Sequence, residues 1–124
     1  DIINIYGDDY NTPDGTGIRD YIHVNDLATA HVRALYYIME KNKNLTLNLA
    51  TGKGYSVLEV IENIQKIIGE NINYKIIERR PGDPAKLIAV SKLAKEYLNW
   101  ECKYSDINSI LQSMWNIYSQ QKSL

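Results

Sequence analysis

Three of the four arginines in this chain, Arg19, Arg79 and Arg80, stand where the backbone is built for special conformation. A guanidinium is a permanently charged planar fork that meets an oxyanion with two donors at once. Arg19 closes a run in which Gly7, Asp8, Asp9, Asn11, Pro13, Asp14, Gly15 and Gly17 crowd together. Glycine supplies positive φ, proline presets φ, and Asp or Asn side chains bond their own backbone, so a structured loop is predicted. Arg79 and Arg80 open a second break, Arg79-Arg80-Pro81-Gly82-Asp83-Pro84. The chemistry such loops could perform is anion capture. Plain surface ion pairs are the competing account, and the arginines alone leave both open.

Other reactive types lack the spacing that chemistry needs. His23 lies in a Tyr-Ile-His-Val run and His31 on an apolar stripe, neither at metal-ligand spacing from Cys, Asp or the other His. Both are read as structural. Cys102, the single cysteine, can form no intramolecular disulfide and is read as an inert thiol. Gly52-Lys53-Gly54 imitates the opening of a dinucleotide fingerprint, but Val57 stands where the third glycine belongs, so a tight structural turn is expected.

The elements that must position the arginines follow from periodicity. Ile2 to Tyr6 reads as a strand feeding the first loop, and a helix is predicted from about Asn25 to Lys41 with Leu27, Ala30, His31, Ala34, Leu35, Ile38 and Met39 on one face. Leu45 to Leu49 alternates as a short strand. Ser56-Val57-Leu58-Glu59 is a capping box opening a helix to about Ile68, closed by Gly69. Ile72 to Glu78 is a further strand and Leu87 to Val90 a brief extended piece. Ser91 is expected to cap a short helix burying Leu93, Ala94, Tyr97 and Leu98, and Ser105 to begin a last one with Ile107, Ile110, Leu111, Met114 and Tyr118 inward. Strands and helices alternate without repeat or linker. The fold class predicted is mixed α/β, a small sheet with about four helices, as one domain over residues 1–124.

Composition excludes several functions. The 15 acidic residues nearly balance the 14 basic ones, leaving no electrostatic footprint for nucleic acid or a membrane surface. No apolar run approaches a membrane span and no signal peptide is visible, so the cytoplasm is the expected compartment.

The motifs also carry a resemblance. Tyr6 to Ala28, YGDDYNTPDGTGIRDYIHVNDLA, is similar nearly position for position to the signature of the UDP-galactose/UDP-glucose 4-epimerases, within the extended short-chain dehydrogenase/reductase superfamily. Asn48 to Leu58, Arg79 to Asp83 and Leu98-Asn99-Trp100 resemble further motifs of that family. The resemblance spans this chain but only the C-terminal part of the family's, which implies a fragment without the NAD-binding Rossmann half. It implies an NAD-dependent isomerase acting on UDP-glucose and UDP-galactose, homodimeric at full length, with this part anchoring UDP and inactive alone. Arg19 and Arg80 map onto arginines that contact the diphosphate, and Asp83 onto an aspartate on the ribose hydroxyls. Asn4, Ile5 and Tyr6 would flank the uracil; Arg79 would be structural. Leu87 occupies a position where tyrosine restricts family members to plain hexoses, which leaves UDP-N-acetylhexosamines open. The superfamily's catalytic Tyr-x-x-x-Lys spacing occurs at Tyr37/Lys41 and Tyr118/Lys122, but the true pair lies upstream in the family, so neither is assigned. Another nucleotide-sugar epimerase, dehydratase or decarboxylase of the same superfamily, or a stand-alone nucleotide-sugar binding module, is the alternative.

Overall fold

The computed structural model describes residues 2–121. Five short strands and four helices follow one another: β1 (Ile3–Tyr6), β2 (Ile18–Arg19), α1 (Val24–Lys41), β3 (Tyr55–Ser56), α2 (Val57–Ile68), β4 (Tyr74–Ile77), β5 (Lys86–Leu87), α3 (Lys92–Leu98) and α4 (Ile107–Gln121). Strands β1 and β4 pair in parallel, Ile3 opposite Tyr74 through Tyr6 opposite Ile77. A second sheet runs β3-β2-β5, with β2 antiparallel to β3 and parallel to β5. The mixed α/β expectation holds.

The loop between β1 and β2 is stitched by its own polar groups. Asp14 accepts from the amide and hydroxyl of Thr16, both at 2.9 Å, while Tyr10 N–H donates to Gly15 C=O. Gly15 has φ +79°, and a Cβ there would overlap the carbonyl of Asp8, so only glycine fits. The Asp14 carboxylate also accepts from the Ser56 hydroxyl, tying the loop to the start of α2. Ser56 and Glu59 form the predicted capping box, and Gly69 ends the helix with φ +73°.

Helix α1 is capped by His23, whose Nδ1 accepts from Asn25 N–H. Its Nε2 therefore carries the proton and donates to Ser113 Oγ at 3.0 Å, which in turn donates to Ile110 C=O. Asp26, 1% exposed, accepts from the Lys103 and Tyr104 amides and the Ser105 hydroxyl. Burial by itself would raise this carboxyl, but the Ser105 and amide hydrogen bonds outweigh it and hold the group below its ordinary value. The core gathers Ala30, Ala94, Leu98 and Trp100, with Leu45, Leu47 and Leu49 packed against it.

Four expectations need correction. Leu45 to Leu49 alternates in burial as a strand would, yet no ladder partner lies beside it among the described residues. Ser91 stands at the N-cap of α3 as expected, but its side chain makes no cap hydrogen bond, the hydroxyl donating to Ala50 C=O instead. Helix α4 begins at Ile107, behind Asp106, whose carboxylate accepts from Ser109 N–H; Ser105 is drawn away to Asp26. The apolar stripes are only half covered: Leu35, Ile38 and Met39 of α1, Leu93 and Tyr97 of α3, and Met114 and Tyr118 of α4 stay exposed. Periodicity records which face is apolar; what lies opposite is decided by the neighbours.

Candidate functional site

A hollow of about 320 Å³ opens where β1, β2 and the turn after β4 meet. Six of the seven residues singled out from the sequence line it: Asn4, Ile5, Tyr6, Arg19, Arg80 and Asp83. The turn is local chemistry. Pro81 and Gly82 take its centre, Gly82 with φ +81°, and Asp83 N–H closes it onto Arg80 C=O at 3.3 Å. Arg80 and Asp83 are thereby brought side by side.

Asp83 is the hub. Arg19 Nη2 donates to its Oδ1 at 2.9 Å, while Arg80 Nε and Nη2 donate to its Oδ2 at 3.1 and 2.8 Å. The Arg80 hydrogen bond, assisted by Arg19 and opposed by a little desolvation, holds the Asp83 carboxyl below the ordinary carboxylate range. Arg19 folds back over Gly17 and gives Nη1–H to Ile18 C=O at 2.8 Å. The Arg80 guanidinium lies 4.6 Å from the centre of the Tyr6 ring. Two cations against one carboxylate leave a net positive charge, and each fork keeps unused N–H donors. The arrangement can receive a small oxyanion such as a phosphate group, two of whose oxygens can meet one guanidinium edge, beside an aromatic surface.

Leu87, the seventh residue, does not line the hollow; it stands on β5 in register with Arg19, 61% exposed. Sequence reasoning missed Tyr10, Gly17, Tyr21 and Val57, all on the wall. Tyr21 had a signal, since it shares a face with Arg19 two residues earlier in extended chain. Burial raises its phenol, with Arg19 pulling the other way, so it offers a neutral hydroxyl. Larger hollows of about 480 and 490 Å³ are shallower: one is lined by His23 and α4 amides, the other by three acids against one arginine, Arg79. Neither collects cations.

Arg79, read from the sequence as structural, does not line the hollow. It bonds the side chain and backbone carbonyl of Asp9 and stacks on Tyr10. His31 donates from Nδ1 to Leu27 C=O, and Cys102 gives its thiol to Ala50 C=O, with burial raising its pKa. Tyr37 meets Tyr97 edge-on and Lys41 pairs with Glu40, while Lys122 lies outside the described residues. No cluster of His, Cys, Asp or Glu suited to a metal occurs among the described residues. None of their helices is long and apolar enough to cross a membrane.

A dinucleotide does not fit the Gly52-Lys53-Gly54 turn. The amides of Thr51 and Gly52 are already bonded to the Asp20 carboxylate. A side chain at Gly54 would overlap Ile18 and Ile88, so that glycine serves close packing and not a pyrophosphate.

Comparison with known proteins agrees with the motifs. No family model matches the chain. The UDP-glucose 4-epimerase of Lacticaseibacillus casei is 45% identical over 92% of this chain and 34% of its own length. Among solved structures, the Stenotrophomonas maltophila UDP-glucose 4-epimerase with bound NAD and formylated UDP-arabinopyranose superposes with a TM-score of 0.91 at 39% identity, over 99% of this chain and 37% of that one. The Bifidobacterium longum enzyme in complex with NAD+ and UDP gives 0.88 at 43% identity, over 98% and 36%. This chain thus spans about a third of the length of the relatives it matches, corresponding to their C-terminal portion.

Proposed function

We propose that this chain, a homologue of the UDP-glucose 4-epimerases, is the nucleotide-anchoring domain of an enzyme that interconverts UDP-glucose and UDP-galactose. The observation that carries this is the convergence of Arg19 and Arg80 on Asp83 at the mouth of a hollow walled by Tyr6 and Tyr21. A diphosphate would take the free donors of both guanidinium forks, the uracil would lie along Asn4, Ile5 and Tyr6, and Asp83 would accept from the ribose hydroxyls.

NAD would supply the hydride acceptor of such a reaction, held by a Rossmann domain outside this chain. Among the described residues the Gly52-Lys53-Gly54 turn offers it no cradle, and the part of this chain is to bind and orient the nucleotide. Relatives crystallised with UDP or a UDP-sugar support that assignment. Leu87, smaller than tyrosine and exposed beside Arg19, leaves space for N-acetylated sugars; Leu87→Tyr should weaken UDP-N-acetylglucosamine turnover while sparing UDP-glucose.

The test is calorimetric titration of UDP, UDP-glucose and UDP-N-acetylglucosamine into the full-length protein. Similar affinities for all three support an anchor on the nucleotide. Absence of UDP binding refutes it.

A further inference from the structure

Arg79 and Arg80 are neighbours in sequence that stack on two tyrosines of one segment. Arg80 lies over Tyr6, with Cζ 4.6 Å from the ring centre, and Arg79 over Tyr10 at 3.9 Å. Tyr6 and Tyr10 both wall the candidate site, whereas Arg79 does not reach it. The fork of Arg79 is taken by Asp9, through the carboxylate and the main-chain carbonyl, and its face by Tyr10. The packing admits nothing more: a Cβ on Gly7 would come within 2.5 Å of Arg79 Cγ and 2.9 Å of Tyr10 Cε2. Tyr10 is 6% exposed, and its hydroxyl has no hydrogen-bond partner among the described residues, so its part in this packing is played by the ring.

We propose that Arg79 and Tyr10 are a positioning pair for the anion site. This rests on the proposed UDP-binding role. Arg79 is bonded to Arg80 through the main chain, so where Asp9 and Tyr10 hold the first, the backbone of the second is held too. The Arg80 fork is exposed and borne by a long side chain with many rotamers, and it would reach a phosphate reproducibly only from a fixed base. Arg79 therefore sets affinity from outside the hollow, through the Arg80 backbone and the Tyr10 ring on its wall.

The experiment measures Kd for free UDP, and KM and kcat for UDP-galactose, in the full-length protein carrying Arg79→Ala, Arg79→Lys, Tyr10→Leu or Tyr10→Phe, with Arg19→Ala as reference. Loss of a cation–π stack corresponds to roughly 2- to 30-fold in an equilibrium constant, and Kd and KM should rise within that range for Arg79→Ala. The kcat value should stay within about twofold, because an anchor used equally in ground and transition states moves KM alone. Arg79→Lys, which keeps charge but not the planar fork, should resemble Arg79→Ala; Tyr10→Phe should retain more affinity than Tyr10→Leu. Loss of kcat with an unchanged KM would place the pair with the reacting sugar instead of the anion site and overturn the proposal. So would unchanged Kd in Arg79→Ala while Arg19→Ala is impaired, with the UDP-binding role left standing. If the wild-type protein binds no UDP, that role falls and the pair with it. Should Arg79→Ala fail to fold, the Tyr10→Phe and Tyr10→Leu comparison decides alone.

Discussion

Arg19 and Arg80 share Asp83 but not their surroundings, and that difference sets separate magnitudes for their loss. The Arg19 side chain is 24% exposed and that of Arg80 is 61% exposed. A hydrogen bond to a charged group contributes about 1.5–3 kcal/mol, with the upper value where water is excluded. Arg19→Ala should therefore cost about 3 kcal/mol of UDP binding, roughly 150-fold in Kd, and Arg80→Ala about 1.5 kcal/mol, roughly tenfold. Salt should separate them further. An exposed cation is screened over about 10 Å at 0.1 M salt and about 3 Å at 1 M, so the Arg80 contribution should shrink with salt while that of Arg19 persists. The assay is calorimetric titration of UDP into the full-length protein and both variants at low and high salt. Wild-type affinity in both variants would refute the site assignment. A larger loss at Arg80 than at Arg19 would refute the desolvation argument behind the ranking.

Three stability predictions follow from the scaffold. The Asp26 carboxyl is lowered on folding, so its contribution is complete above the unfolded value near pH 4 and is lost as pH falls through the folded one. Asp26→Asn should cost about 2–3 kcal/mol at pH 7 and flatten the acid limb of urea-denaturation stability below about pH 4; an unchanged limb would refute this. Asp14, also lowered by the Ser56 and Thr16 hydrogen bonds against its desolvation, should leave part of that limb in place. Gly15→Ala and Gly69→Ala both put a side chain at positive φ, but only the first meets backbone, at Asp8, while the second meets nothing within 4 Å. Thermal unfolding should show about 3 kcal/mol or more lost at Gly15 and about 1 kcal/mol at Gly69, and equal losses would refute the steric account. Ser56→Ala removes the acceptor for Glu59 N–H and the donor to Asp14, and should cost about 1–2 kcal/mol in the same measurement.

What the sequence disclosed was whatever is decided within a few residues. The capping box at Ser56 and Glu59, the close at Gly69 and the turn through Pro81 and Gly82 are local, and each was legible. The loop could be read as structured, but not what it binds: Asp14 reaches Ser56 and Asp20 reaches Thr51, 42 and 31 residues on. Ser105 was misread as a helix start because its partner, Asp26, lies 79 residues away. Leu45 to Leu49 was misread as a strand because alternation records a face and cannot record a missing neighbour. The same limit hid Tyr10, Tyr21 and Val57. Cations were visible as candidate ligands; the aromatic and aliphatic wall behind them was not, since wall residues look like any core.

The carboxylates of the signature loop divide into two kinds, and the division bears on the proposed mechanism. Asp14, Asp20 and Asp26 are splints, binding backbone amides and hydroxyls that fix the loop, the turn after Thr51 and the chain before α4. Asp9 pairs with Arg79 away from the hollow, and Asp83, on the turn after β4, faces two cations at once. A 4-epimerase must offer either face of one sugar carbon to a fixed acceptor, so it cannot grip the hexose tightly in a single pose. Binding energy must then reside mainly in the nucleotide, which keeps the same position through the reaction. A rigid loop and two braced guanidinium groups suit that distribution. It also follows that lesions in this anchor should raise KM and spare kcat, whereas a lesion that slowed kcat alone would place the residue with the sugar.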